Sequence, residues 1–135
     1  MPSLFAFLFV FLGGGLGSVA RFFLSTLAMR YFGGGFPVGT LAVNVVGSLF
    51  IGVIVALAGK SAGILSDNAR FFLAVGFCGG FTTFSTFSLE TFTILQEGRA
   101  LAALGYALAS VCSCVTATAT GLGLTYWLLK LPAAL

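Results

Sequence analysis

The sequence contains no histidine and only three carboxylates, Asp67, Glu90 and Glu97, in 135 residues. Without an imidazole or an evident carboxylate pair, the usual groups for general acid–base and nucleophilic catalysis are missing, so an enzyme is not expected. The three cysteines, Cys78, Cys112 and Cys114, all fall inside apolar runs. An odd number of such thiols with no histidine argues against a disulfide scaffold and against zinc. They read as small apolar packing residues. Charged residues are only 7% of the chain, against roughly a quarter in soluble domains, so water is not the surrounding medium. The net charge of +3 is dispersed along the chain, which argues against a nucleic-acid-binding patch. The glycine clusters lack a following Lys-Ser/Thr and a βαβ context, so nucleotide loops are not supported.

What is abundant is apolar residues, at 59%. Ser3 to Ala20, Thr40 to Gly59, Phe71 to Leu89 and Ala100 to Leu129 are near or above the ~20 residues needed to cross a bilayer as a helix. They are separated near Arg30 to Gly39, Lys60 to Arg70 and Gln96 to Arg99. The expectation is an all-α membrane protein with four transmembrane helices, forming one domain over residues 1–135. No Lys or Arg precedes the first run, and Arg21 with another apolar stretch follows it, so it reads as a retained span rather than a cleaved leader. Four spans put both termini on one side with Lys60, Arg70 and Lys130, against Arg30 and Arg99 opposite. Orientation normally follows Lys/Arg asymmetry, and this bias is slight. Insertion in both orientations, as an antiparallel dual-topology homodimer, fits that balance.

Several polar residues interrupt the spans. "GGGLGS", Gly13 to Ser18, suits close helix packing, and Arg21 behind it either snorkels to the interface or lines a water-filled mouth. "GGGFPVGT", Gly33 to Thr40, is a turn-rich connector. Asn44 lies about one turn into the second span, where an amide either bonds a neighbouring helix or offers its NH₂ to an anion. Ser66 or Asp67 is positioned to cap the third helix, with Asn68 a weaker alternative. In the fourth span Tyr106, Ser110, Cys114 and Thr118 recur every four residues and share a helical face. Ser113, Thr116 and Thr120 form a second set close by; such hydroxyls often serve packing alone.

The densest signal is "GFCGGFTTFSTFS", Gly76 to Ser88. Gly79 and Gly80 weaken a helix, while Thr82, Thr83, Ser85, Thr86 and Ser88 can satisfy freed backbone groups. Irregular backbone at membrane depth is tolerated only where it is buried in protein or lines a polar cavity. A third helix broken mid-membrane is therefore a candidate ion site: exposed carbonyls suit a small cation, exposed amides an anion. Phe84 and Phe87 follow three residues apart, and their positive ring edges can contact an anion without trapping it.

"GGGLGSVAR", "GTLAVNVVGS" and above all "GFCGGFTTFSTFSLE" resemble the Fluc/CrcB family of fluoride ion channels, across essentially the whole chain. The resemblance implies a passive fluoride-selective channel of a bacterial-type plasma (inner) membrane that exports cytoplasmic fluoride. It implies an antiparallel homodimer in lipid with two pathways, and a central structural sodium ion (Na+) held by backbone carbonyls, here those of Gly79 and Thr82. The family's pore phenylalanines correspond to Phe84 and Phe87, its second-helix asparagine to Asn44 and its vestibule arginine to Arg21. Its fourth-helix polar track corresponds to Tyr106, Ser110, Cys114 and Thr118. Cys114 departs from the pattern, where a hydroxyl is expected. Two other classes stand beside this one. A proton-coupled four-helix transporter would use Glu90, the only acidic residue near a membrane segment. A non-transporting assembly subunit would use the Gly and Ser/Thr patterns for packing alone.

Overall fold

The first apolar run does not stop at Ala20. In the computed structural model, which describes residues 3–59 and 64–130, helix α1 runs Leu4–Phe32 and holds both Arg21 and Arg30. Ser3 caps it by accepting the Ala6 N–H at 3.3 Å. Beyond Ala20 no glycine or proline intervenes until Gly33, whose positive φ of 71° ends the helix while its N–H donates to the Met29 carbonyl. At about 1.5 Å per residue such a helix is about 43 Å long, exceeding the ~30 Å hydrocarbon core. Its last turn, with Arg30, thus has length to spare for reaching polar surroundings.

Helix α2 (Val38–Ala58) starts directly after Pro37. Lys60, counted in the charge balance, lies outside the described residues. Ser66 caps α3 (Asp67–Arg70), accepting the Ala69 N–H at 3.3 Å, the first of the expected caps. The chain continues as a π-helix, Phe71–Cys78, and a final turn α4, Gly79–Phe81. Thr82 (φ −81°, ψ 158°) and Thr83 (φ −150°, ψ 111°) are extended. Helix resumes as α5 (Phe84–Gln96) and, after a turn at Gly98 (φ 77°), as α6 (Ala100–Leu129). Among the described residues, Leu4–Phe32, Val38–Ala58, Asp67–Gln96 and Ala100–Leu129 are each long and apolar enough to cross a membrane.

One expectation needs correction. Gly79 and Gly80 are themselves helical, and the irregular residues are Thr82 and Thr83. The hydroxyls explain the shift. Thr82 closes the preceding helix by donating both its N–H (3.0 Å) and its Oγ1 (2.9 Å) to the Cys78 carbonyl. Thr83 opens the next helix by accepting the Thr86 N–H at its own Oγ1 (3.2 Å). Gly80 serves packing, whereas Gly79 faces open space. A Cβ at Gly17 would overlap the Phe77 carbonyl, and one at Gly80 would overlap the Gly14 carbonyl, so α1 lies almost backbone-to-backbone on the third crossing. The same logic joins α2 to α6, where a Cβ at Gly52 would overlap the Thr118 carbonyl. Interfaces of this kind use van der Waals contact rather than hydrophobic exclusion, because lipid tails are as apolar as leucine. Val43, Phe81 and Tyr106 are buried inside, while Phe5, Phe7, Phe11 and Phe22 project outward from α1.

Candidate functional site

The second extended threonine, Thr83, is held from outside its own segment. Asn44, on α2, accepts the Thr83 N–H at Oδ1 (2.8 Å) and donates from Nδ2 to the Thr83 carbonyl (3.2 Å). This side chain mimics a neighbouring backbone and satisfies both backbone groups of Thr83. One amide N–H of Asn44 remains beyond this pair. On the opposite flank Arg21 Nε donates to the Gly80 carbonyl at 3.1 Å, with Ser18 Oγ at 3.4 Å from the same oxygen. The close approach of α1 at Gly17 brings both side chains within reach.

Beside the junction lies a cavity of about 420 Å³ between α2, the third crossing and α6. Asn44, Phe84, Phe87, Ser110 and Cys114 line it, and so do Gly79 and Thr82. Seven of the residues picked out from the sequence therefore share one space. Phe84 and Phe87 are neighbours with ring centroids 5.4 Å apart and planes at 51°. Phe84 is 77% exposed, whereas Phe87 packs on Tyr106 at 5.3 Å. Ser110 is 5% exposed, and its Oγ is a buried polar atom without a hydrogen-bond partner.

Arg21, Tyr106 and Thr118 are not among the residues lining that space. Arg21 is engaged with Gly80. Tyr106, 1% exposed, donates its hydroxyl to Glu90 Oε2 at 2.8 Å, and Thr40 donates to Glu90 Oε1 at 2.7 Å. Both carboxylate oxygens thus tie α5 to α2 and α6. Thr118 Oγ1 donates to the Ser48 carbonyl (3.0 Å) and to that of Cys114 (3.1 Å), as a packing residue of the α2–α6 seam. The shared face of α6 is real, but only its middle portion meets the cavity. Of the second hydroxyl set, Ser113 and Thr120 bond carbonyls of their own helix.

Thr83 and Thr40 were not singled out as site residues, yet both do structural work here. Thr83 carried the signature of a cap, a hydroxyl three residues before another helix-entry residue, Thr86. Thr40 sits four residues before Asn44, and that spacing alone places the two on one face of α2.

The pairing of an asparagine on the second helix with a Thr-Thr interruption in the third can be set beside known proteins. Residues 8–122 match the family described as CrcB-like protein, Camphor Resistance (CrcB). The chain belongs to that family. A relative from Geobacter sp. (strain M21), named fluoride-specific ion channel FluC, is 46% identical over 114 residues, covering 84% of this chain and 91% of the relative. A protein of the same name from Anaeromyxobacter sp. (strain K) is 46% identical over 121 residues, covering 90% and 95%. One from Mesorhizobium japonicum is 43% identical over 121 residues, covering 90% and 96%. With four helices capable of crossing a bilayer, this CrcB-family chain is a multi-pass protein of the bacterial inner membrane.

Proposed function

We propose that the chain is a passive fluoride-selective channel that lets cytoplasmic fluoride leave, and not an enzyme. The observation that carries this reading is the cavity at the Thr82–Thr83 junction, where neutral donors and phenyl rings stand in a largely apolar lining without a charged side chain. Fluoride would meet the Asn44 amide, the unpartnered Ser110 hydroxyl, the Cys114 thiol and the edges of Phe84 and Phe87, with no fixed charge among them. Donors of that strength hold an anion tightly enough to enter and weakly enough to leave. An inside-negative potential supplies about 2.3 kcal/mol per charge per 100 mV, which suffices for outward flow without a pump. The relatives' name points the same way.

The working unit is an antiparallel homodimer with two pathways and a third crossing interrupted within the membrane. The near-balanced loop charges support dual topology, and the cavity is open rather than enclosed within one copy. Sodium fits the same junction. Gly79 is exposed, with nothing within 4 Å of where a Cβ would stand, so a cation and a second copy have access to its backbone. The Gly79 and Thr82 carbonyls accept no hydrogen bond among the described residues. Those two oxygens would hold the ion, which would neutralise carbonyl dipoles facing each other across the two-fold axis. Tyr106 and Thr118 act one layer behind the path, and Arg21 sets its frame.

A proton-coupled mechanism through Glu90 has less support, because both of its oxygens are engaged as acceptors for Thr40 and Tyr106. Fluoride efflux from reconstituted liposomes, read with an electrode, tests the assignment. Uncoupled efflux is expected. Strict dependence on a proton gradient, abolished by Glu90→Gln, would replace the channel with a transporter, and no flux at all would leave an assembly subunit. Labelling of cysteines introduced into loops on intact cells should find both orientations in comparable amounts; a single orientation would remove the antiparallel dimer.

A further inference from the structure

Three cysteines occupy three different settings. Cys112 is exposed on the outer face of α6. Cys78 is buried at the end of the π-helix, 4% exposed, and touches the same cavity from the third crossing. Cys114 is half-buried and lines the cavity at the junction. One helical turn before it stands Ser110, whose Oγ is buried and makes no hydrogen bond. Residues four apart on a helix carry Cβ atoms about 5–6 Å from each other, so thiol and hydroxyl stack along one wall. A buried hydroxyl with neither donor nor acceptor partner is uncommon, since leaving such a group unpaired is unfavourable. It marks this wall as a place where something other than protein supplies the second atom.

We propose that Cys114, with Ser110 behind it, is a binding site for soft, thiophilic metal cations, and that its occupation closes the pathway. The blocking part rests on the channel reading above; the binding part does not. Thiolate is the ligand that soft metals select over hydroxyl, amide or carbonyl oxygen, so the cation is drawn to Cys114 rather than to the oxygen-rich junction. With Hg²⁺ the step is a substitution: the S–H bond breaks, an S–Hg bond forms, the proton leaves to water, and no oxidation state changes. Ser110 Oγ then offers an oxygen lone pair one turn away, which ends its isolation. A metal anchored there occupies the cavity that Asn44 and Phe87 also line, among the neutral donors an anion would use. Cys112 is not among the lining residues, and Cys78, which is, presents only 4% of its surface against the half-buried Cys114.

The test uses full-length protein in liposomes, with Hg²⁺ alone as the probe. Fluoride efflux is measured for the unaltered chain and for Cys78→Ser, Cys112→Ser and Cys114→Ser, each relative to its own metal-free flux. The unaltered chain, Cys78→Ser and Cys112→Ser should lose most of their flux on adding Hg²⁺, with recovery on adding excess small thiol. Cys114→Ser should keep its own flux. In parallel, mass spectrometry of the reconstituted protein should place the first mercury adduct on Cys114, and fluoride in excess should slow its formation. A block that persists in Cys114→Ser, or a first adduct on Cys78 or Cys112, overturns the proposal. Absent metal-free flux in the unaltered chain would refute the channel reading, while the adduct position still decides the metal site.

Discussion

Replacing Asn44 by alanine removes both hydrogen bonds that reach Thr83, the 2.8 Å bond from its N–H and the 3.2 Å bond to its carbonyl. Membrane-protein cycles average about 0.6 kcal/mol per interhelical hydrogen bond, so two bonds set a floor near 1 kcal/mol. Leaving a buried backbone group unpaired costs about 1–3 kcal/mol, and that upper figure applies in part because Asn44 and Thr83 are both half-buried. The expected loss is therefore about 1–3 kcal/mol, local to the junction. Amide hydrogen exchange in lipid nanodiscs reads it directly. The Thr83 amide should exchange about 5- to 150-fold faster in Asn44→Ala, the equivalent of that free energy. Amides in the middle of α6 should be unaffected. Fluoride flux should fall with it, because the cavity wall is the same backbone. Exchange at Thr83 within about twofold of the unaltered chain would refute the idea that Asn44 holds the junction.

Gly17→Ala should destabilise the chain by about 1–3 kcal/mol in a detergent unfolding titration, because the new methyl overlaps the Phe77 carbonyl. Gly15→Ala, with nothing within 4 Å, should be neutral or stabilising by up to ~1 kcal/mol, and equal losses at the two positions would remove the seam argument. Glu90→Gln leaves one acceptor fewer for Thr40 and Tyr106, so it should cost about 1 kcal/mol and slow fluoride flux without making it proton-dependent. Phe84→Ile should leave unfolding within about 0.5 kcal/mol, as the ring is exposed. Phe87→Ile should cost about 0.5–1.5 kcal/mol through lost packing on Tyr106. Both should slow flux in liposomes, and unchanged flux in both would remove the ring-edge argument.

How much of this was legible in the sequence depends on the range of the interaction. The four crossings follow from runs of apolar residues, a local property, and so does the cap at Ser66. The ends were less visible. The apolar run is expected to end at Ala20 with a connector from Arg30, but arginine has good helix propensity and Gly33 is where the conformation stops α1. The interruption was expected at the glycines and lies at Thr82 and Thr83, because Gly80 answers to a neighbouring helix rather than to its own. That cause is 66 residues away, at Gly14. Asn44 was open between two roles for the same reason: its partner Thr83 is 39 residues distant. Glu90 attracted attention as a possible proton carrier, and only the fold reveals that Thr40 and Tyr106 converge on it.

The charged side chains nearest the junction are each committed elsewhere, and this bears on how an anion would pass. Arg21 points its Nε at the Gly80 carbonyl, on the α1 side of the third crossing, not into the cavity. Glu90 is bracketed by two hydroxyls one layer away. What lines the cavity is neutral: an amide already half used, four hydroxyl residues, two thiols, two rings and apolar side chains. A guanidinium among them would bind an anion so firmly that release would limit conduction, and a carboxylate would repel it. By spending Arg21 on a backbone oxygen, the chain gains a rigid interruption and keeps its strongest positive group out of the path. On the proposed reading, Arg21→Ala should therefore loosen the Gly80 turn before it alters anion affinity. Faster amide exchange across Gly79–Phe81 with a reduced maximal flux is expected; unchanged exchange with a weaker dependence on fluoride concentration would instead make Arg21 a direct anion ligand.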